Sequence, residues 1–414
     1  MPKRVAIYNL HIGHDGGGGE KRSLAMAECL VRRHKVTLIV DGSPRIRDLE
    51  EYFGVNLAGV DLLRLHLPIQ SRLRRILNTE RGHVLPVGSF DLLLRDLRLA
   101  LERSYYRQIQ PLGFDLLINN NGFGALPCPA AHGIYMCMFP HELRGRLRPD
   151  ENRSLVRKLY VHVGNRIVGM SQAVLESYDV ITANSEFTRE WIQRLWQRDA
   201  QVVYSACDDM GPAAAKERMI MHVGRFVGER RNDYKHQRAL VEAFRRCEYL
   251  IREGWELHLA GSVQPDRDSR EATARLERDA AGLPVVVHRN VSFESLRELY
   301  RKASIYWHAT GFGFSPELHP GKQEHFGITT VEAMSAGAVP VVINSGGQRE
   351  TVQHGVNGLL WNSLQELQDY TCQLAEDSAL RRRLGDEAVA SSKRFSRAAF
   401  ADRIESLADS LLNP

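Results

Sequence analysis

The stretch GKQEHFGITTVEAMSAGAVPVVINSGG, residues 321–347, sets the reading of the whole chain. Two carboxylates, Glu324 and Glu332, flank a turn glycine, Gly327, with seven residues between them. Gly337 and then Pro340 are helix-stopping residues, and an apolar strand follows at 340–343. The pattern predicts a short helix over 330–336, with partial positive charge and free N–H groups at its start. Gly327 lets backbone approach a ligand there. Thr329-x-x-Glu332 also has capping-box spacing, so Glu332 reads both as a cap of its own helix and as a binding acid. Two acids beside an anion-binding end are poor ligands for phosphate. They suit hydroxyls, on a sugar and on a ribose flanking a diphosphate.

Outward from this stretch, strand-like runs alternate with helical patterns in both directions. At 414 residues the chain is too long for one core, and two domains are expected. In the second half, runs at 219–223, 256–260, 285–287, 305–308 and 339–343 are separated by helical segments. In the first half, runs lie at 5–8, 36–40, 61–67, 114–118, 133–139, 179–183 and 201–204. Small residues and Pro at 206–215 mark a linker between the halves. The tail, 395–412, reads as an amphipathic helix with Phe400, Ile404, Leu407 and Leu411 on one face. The fold class is therefore α/β, with two Rossmann-like doubly wound parallel sheets.

A net charge of +5 fits an anionic ligand or a membrane surface and does not call for nucleic acid. The six cysteines form no C-x-x-C pair and sit in or beside apolar runs, so free, buried thiols in a reducing cytosol are expected. The first residues lack the apolar region of a signal peptide, and no window is apolar enough to span a membrane. Arginines at 72–81, 95–107 and 144–157, with Lys158, form basic runs. They read as a solvated face, or as a surface drawn to anionic lipid headgroups or a diphosphate-bearing acceptor.

After the first strand comes HIGHDGGGG, whose Gly16–Gly19 run opens a helix over 20–33 and favours an anion at its N-terminus. A dinucleotide fingerprint would need a third glycine where Lys21 stands, although Asp41 sits where a ribose-binding acid would. Asp266-x-Asp268 has the form of a metal-binding pair but reads as a surface loop in which Asp268 caps a helix beginning near Ser269. No His/Cys cluster has zinc spacing. Arg225, after the strand at 219–223, and Lys235, at a helix start, supply the cations a diphosphate needs. Residues at the carboxyl ends of parallel strands converge in one crevice.

Gly224-Arg225 with Lys235, the Glu324/Glu332 pair within EHFGITTVEAMSAGAVPVV, Ser345-Gly-Gly347 with Glu350, and Gly355-x-x-Gly358 together resemble retaining glycosyltransferase family 4, with its GT-B fold. Gly17-Gly-Gly-Glu20 and the segment ANSEFTR at 183–189 extend the resemblance into the first half. It implies an acceptor-binding domain over 1–207, a nucleotide-sugar domain over 216–394, and a 395–414 helix packing back on the first domain. It also implies transfer of a glycosyl group from a nucleoside diphosphate sugar, with retained configuration, in the cleft between the domains. Arg225 and Lys235 would neutralise the diphosphate, and Glu324 would bind sugar hydroxyls as a positioning residue. Phe326, Gly327, Ile328 and Thr329 would contribute backbone N–H groups, Glu332 would hold the ribose, and Gly18 and Gly19 would close the donor site. His141 in CMFPHE is the catalytic histidine this implies, with His132 as the second candidate.

The HATG and EHFGI elements look like those of mannosyltransferases acting on lipid-linked oligosaccharides, which favours GDP-mannose. UDP-glucose or a UDP-N-acetylhexosamine remains open as donor. A non-catalytic nucleotide-sugar-binding protein and an NAD-dependent enzyme are the other classes. The expected partners are the nucleotide-sugar donor, a glycan or lipid-linked acceptor, and an anionic membrane in peripheral contact. No metal or cofactor is expected, and the expected location is cytoplasmic, at the inner face of a membrane.

Overall fold

A computed structural model describes residues 2–13, 17–40, 42, 44–65, 105–122, 126–141, 170–228, 235–263 and 266–413. Asp41 and, apart from Arg107, the arginines and the lysine of the three basic runs lie outside the described residues. The chain divides into two compact units. Unit 1 is Met1–Asn184, Thr188–Val203 and Ala401–Pro414; unit 2 is Ser185–Phe187 and Tyr204–Phe400.

Unit 1 holds β1 (Arg4–Tyr8), α1 (Gly18–Leu30), β2 (Lys35–Val40), α2 (Ile46–Phe53), β3 (Asp61–Arg64), β4 (Leu116–Asn119), β5 (His132–Cys137), α3 (Gln172–Glu176), β6 (Val180–Ala183), most of α4 (Glu186–Trp196) and β7 (Gln201–Val202). All pairings are parallel, in the order β3-β2-β1-β4-β5-β6-β7. Val5 to Tyr8 are buried on both faces, which is why β1 is continuously apolar rather than alternating. Tyr8, Leu117, Tyr135, Ile181 and Trp196 belong to one apolar cluster. Helix α1 begins at Gly18, two residues before the expected start, with Gly17 as its N-cap.

Unit 2 holds β8 (Met219–Val223), α5 (Gln237–Arg245), α6 (Glu248–Arg252), β9 (Glu256–Gly261), α7 (Arg267–Asp279), β10 (Val285–Arg289), α8 (Phe293–Lys302), β11 (Ile305–His308), α9 (Ile328–Ser335), β12 (Val339–Ile343), α10 (Gln348–Thr351), β13 (Leu359–Trp361), α11 (Leu364–Glu376) and α12 (Ser378–Ser392). Its sheet is also parallel, in the order β10-β9-β8-β11-β12-β13. Trp307 and Trp361 are fully buried on one side of it, in a cluster with Phe244 and Leu257. Tyr300, Tyr306, Met221 and Met334 fill the other side. β13 and the two helices after it lie outside the runs read from the sequence, although Leu367, Thr371 and Leu374 recur at helical spacing on the buried face of α11.

The last helix, α13 (Arg397–Leu412), contributes residues 401–412 to unit 1. Ile404, Leu407, Ala408 and Leu412 are buried, Leu411 is only half-buried, and Asp409 pairs with Arg33 at 2.6 Å. All six cysteines are free; Cys29, Cys137, Cys207 and Cys247 are buried. No helix among the described residues is long and apolar enough to cross a membrane.

Two local expectations give way. Asp266, not Asp268, is the N-cap of α7, accepting from Ser269 N at 2.9 Å and Ser269 Oγ at 3.0 Å. The Thr329/Glu332 capping box does not form. The helix starts at Ile328 with Gly327 as N-cap, so Thr329 is already inside the first turn and Glu332 opens the second.

Candidate functional site

In unit 2 the strand order runs one way through β8, β9 and β10 and the other way through β11, β12 and β13. The direction reverses between β8 and β11, and ligands of open parallel sheets bind at the carboxyl ends of strands at such a reversal. Arg225 follows β8 there, His308 ends β11, and Ser345 to Gly347 follow β12.

Glu324 lies at the centre of this rim. Its Oε2 accepts from Lys235 Nζ at 2.9 Å and from His308 Nε2 at 3.2 Å, and Lys235 also reaches Thr310 Oγ1 at 3.3 Å. The Lys235 and Glu324 side chains each keep 19% exposure, enough to meet a ligand. Burial alone would raise the Glu324 pKa. The Lys235 charge and the two hydrogen bonds outweigh it, and the carboxyl lies well below its ordinary range. Glu324 is therefore ionised throughout the neutral range and acts as an acceptor.

The backbone around Glu324 is fixed from below. Gly347 N donates to Glu324 O at 2.8 Å, and a Cβ added at Gly346 would lie 2.3 Å from that same oxygen. The turn after β12 can thus seat against residue 324 only because it is glycine. Gln323 is buried; its amide donates to Phe314 O at 3.1 Å and accepts from Ser345 Oγ at 2.6 Å. Phe326 is an anchor rather than a lining side chain, packed against Phe395 and Tyr204 with ring centres 5.3 and 5.6 Å away.

Gly327 turns the chain into α9 with φ of 98°, and a Cβ there would lie 2.8 Å from the Gln348 amide nitrogen. The intrahelical bonds start with Thr330 N and Val331 N on Gly327 O, so the N–H groups of Ile328 and Thr329 lie ahead of them. Thr329 Oγ1 accepts from Tyr306 at 2.7 Å. Glu332 is 6% exposed and accepts from the Tyr300 hydroxyl at 3.2 Å. Burial first, and then the Glu332 charge, push the Tyr300 pKa well up, so it stays a donor.

Arg225 is exposed on the segment after β8. Beneath that segment lies His222, fully buried, with Nδ1 2.9 Å from Trp307 O. Burial drives its pKa to about 3, so the ring is neutral. His222, His308, Thr310, Tyr300, Gln323 and Gln348 are the supporting residues that sequence reasoning did not assign. HATG held two of them in view, but nothing in one sequence shows that the histidine faces Glu324. No described group of three His, Cys, Asp or Glu side chains is arranged to hold a metal.

In unit 1, Gly18 and Gly19 form the first turn of α1, at the carboxyl end of β1. Gly19 O accepts from Asn120 Nδ2 at 2.8 Å. The expectation of an anion at the Gly-rich loop is only partly open. Glu20 takes Gly13 N at 2.6 Å and Gly17 N at 2.8 Å, so two N–H groups already face the chain's own carboxylate. His141 is exposed just beyond β5, and its carbonyl accepts from Trp196 Nε1 at 2.7 Å. His132 begins the same strand at the opposite end, beside Asp179, away from the carboxyl edge where ligands bind.

Sequence comparison covers both units. The profile "Glycosyltransferase Family 4" matches residues 16–210 and "Glycosyl transferases group 1" matches 211–390. The "GDP-Man:Man(3)GlcNAc(2)-PP-Dol alpha-1,2-mannosyltransferase" of Dictyostelium discoideum is 25% identical over 282 residues, 63% of this chain and 52% of that protein. The Xenopus laevis protein of the same name is 30% identical over 183 residues, 41% of this chain and 35% of that protein. The chain thus spans about half, or less, of the length of these curated relatives. Among solved structures, Anabaena HepE in complex with UDP and glucose matches with a TM-score of 0.64 at 17% identity, over 99% of this chain and 100% of that one. The pneumococcal O-GlcNAc transferase GtfA in complex with UDP and GlcNAc matches at 0.66 and 13% identity, over 100% of both chains. At such identities the likeness speaks for the fold, the GT-B class of two Rossmann-like units. With profiles spanning residues 16–390 over that fold, the chain belongs to glycosyltransferase family 4.

Proposed function

We propose that the protein transfers a mannosyl group from GDP-mannose to a hydroxyl of a glycan or lipid-linked acceptor, with retained anomeric configuration and without a metal ion. The observation that carries the reading is the Glu324 carboxylate, held by Lys235 and His308 where the unit 2 strand order reverses, beside the N-terminus of α9. Arg225 and Lys235 draw charge from the leaving diphosphate, an electrostatic effect already in place before reaction. The N–H groups of Phe326 to Thr329 receive phosphate and sugar oxygens, Glu324 orients sugar hydroxyls, and Glu332 holds the ribose. His141 is the proposed catalytic contribution of unit 1, with Gly18 and Gly19 bordering the donor. The names of the curated relatives favour GDP-mannose over a UDP sugar. Family membership argues against the NAD-dependent reading.

The test is a panel of nucleotide sugars scored by release of nucleoside diphosphate, with and without EDTA. GDP-mannose should turn over best and EDTA should leave the rate unchanged. Arg225→Ala or Glu324→Ala should lower kcat by about 10²–10³-fold; unchanged turnover in both removes the assigned site. A cytoplasmic location with peripheral contact to anionic membrane belongs to the same proposal. Absence of co-sedimentation with anionic liposomes at low salt would count against it.

A further inference from the structure

His308 has no assigned role, yet it is 1% exposed and its ring lies between Glu324 and the interior of unit 2. Thr310 N donates to its Nδ1 at 3.4 Å, which leaves the proton on Nε2, the nitrogen 3.2 Å from both Glu324 Oε2 and Thr310 Oγ1, of which the charged carboxylate is the stronger acceptor. The ring stands 6.1 Å from His222. Burial lowers the His308 pKa despite the opposing pull of Glu324, so the imidazole is neutral and acts as a hydrogen-bond donor rather than a second cation. Lys235 and His308 both bond Oε2, and no described residue bonds Oε1. One carboxylate oxygen is thereby committed to the protein and the other is left to the ligand. The titratable groups facing this pair are Lys235, His222, Tyr306 and His325.

We propose that His308 is a positioning residue: its Nε2–H fixes the Glu324 carboxylate so that Oε1 meets a hydroxyl of the donor sugar. The inference rests on the donor-site reading above, since it needs Glu324 to bind the sugar. Outer partners that orient a functional group commonly matter about 10–100-fold in activity.

The test compares His308→Phe, which keeps a ring and loses the donor, with His308→Gln, which returns an N–H near the Nε2 position. His308→Phe should lower kcat/KM about 10–100-fold while leaving GDP affinity within about twofold, because the nucleotide does not touch Glu324. His308→Gln should recover most of that loss. The Glu324 carboxyl, read by carbon-13 NMR of the free protein, should titrate at higher pH in His308→Phe than in the wild type, since a donor to its charged form is gone. Glu324→Gln and the double variant His308→Phe/Glu324→Gln should turn over equally. If His308→Phe does not fold, the same cycle with His308→Leu, which also lacks a donor, gives the coupling. An unmoved Glu324 titration, additive losses in the cycle, or equal loss in the Gln and Phe variants overturns the proposal. The NMR readout needs no substrate, so it is separable from a wild type that turns over no nucleotide sugar, which would instead sink the donor-site reading.

Discussion

At the scale of single residues, the proposed site divides into groups offered to a ligand and groups that hold them. Gly19 illustrates a way to separate these. A Cβ added there meets nothing within 4 Å, and its backbone is ordinary helix, so the protein itself does not require glycine. Gly19→Ala should therefore leave stability unchanged or raise it by about 0.5–1 kcal/mol, seen as an equal or higher Tm. If Gly19 borders the donor, kcat/KM should nonetheless fall by at least about tenfold, because a methyl group displaces a closely approaching ligand. Wild-type kinetics in a folded Gly19→Ala protein would remove that residue from the donor site. Arg225, Lys235, Glu324 and Glu332 could be named as charged candidates from the sequence, and the structure brings Lys235 and Glu324 together at 2.9 Å. His308 and Tyr300 were not, because a hydrogen bond across 16 or 32 residues leaves no local trace.

At the scale of elements, α9 shows why spacing alone misleads. Thr-x-x-Glu fits an N-cap and its third residue, but equally the second and fifth residues of a helix, and only the backbone decides. Here Gly327, in the left-handed region and packed on Gln348, starts the helix earlier than side-chain capping would. Gly327→Ala should cost about 1–2 kcal/mol for the backbone alone, and more for the contact with Gln348, which itself bonds Thr330 at 3.0 Å. Urea unfolding checks this, and a midpoint equal to wild type would show that the turn relaxes freely. The Asp266-x-Asp268 loop repeats the lesson: two acids compete for one cap, and the choice depends on where the first turn closes. Element existence was readable from apolar runs flanked by Gly and Pro, whereas element boundaries followed contacts that only the folded chain supplies.

At the scale of the whole molecule, the alternation of strand and helix in both halves was legible, but the strand order was not, since the direction of each crossover is not written in local sequence. Unit 2 also buries several histidines, and that has a pH consequence. Burial pushes His222 to about 3 and His325 to about 4, from an ordinary 6.5. Between those values the unfolded chain binds protons that the folded chain refuses, so stability rises with pH there and falls as pH drops below 6.5. Each should contribute a loss of about 2 kcal/mol between pH 7 and pH 5. The Glu324 contribution persists over that range and is lost only as pH falls through its depressed folded value. Urea midpoints at the two pH values test this, and equal stability would contradict it. The two units also differ in how they treat a glycine-capped helix. In unit 1, Glu20 bends back and occupies Gly13 N and Gly17 N, so α1 carries a built-in counter-ion. In unit 2, Gly327 brings no side chain to the start of α9, and the nearby Glu324 is already bound to Lys235 and His308. Among the described residues, α1 is thus screened by its own carboxylate and the start of α9 is not, and a competitive inhibitor should gain more from a negative charge set against α9 than from one set against α1.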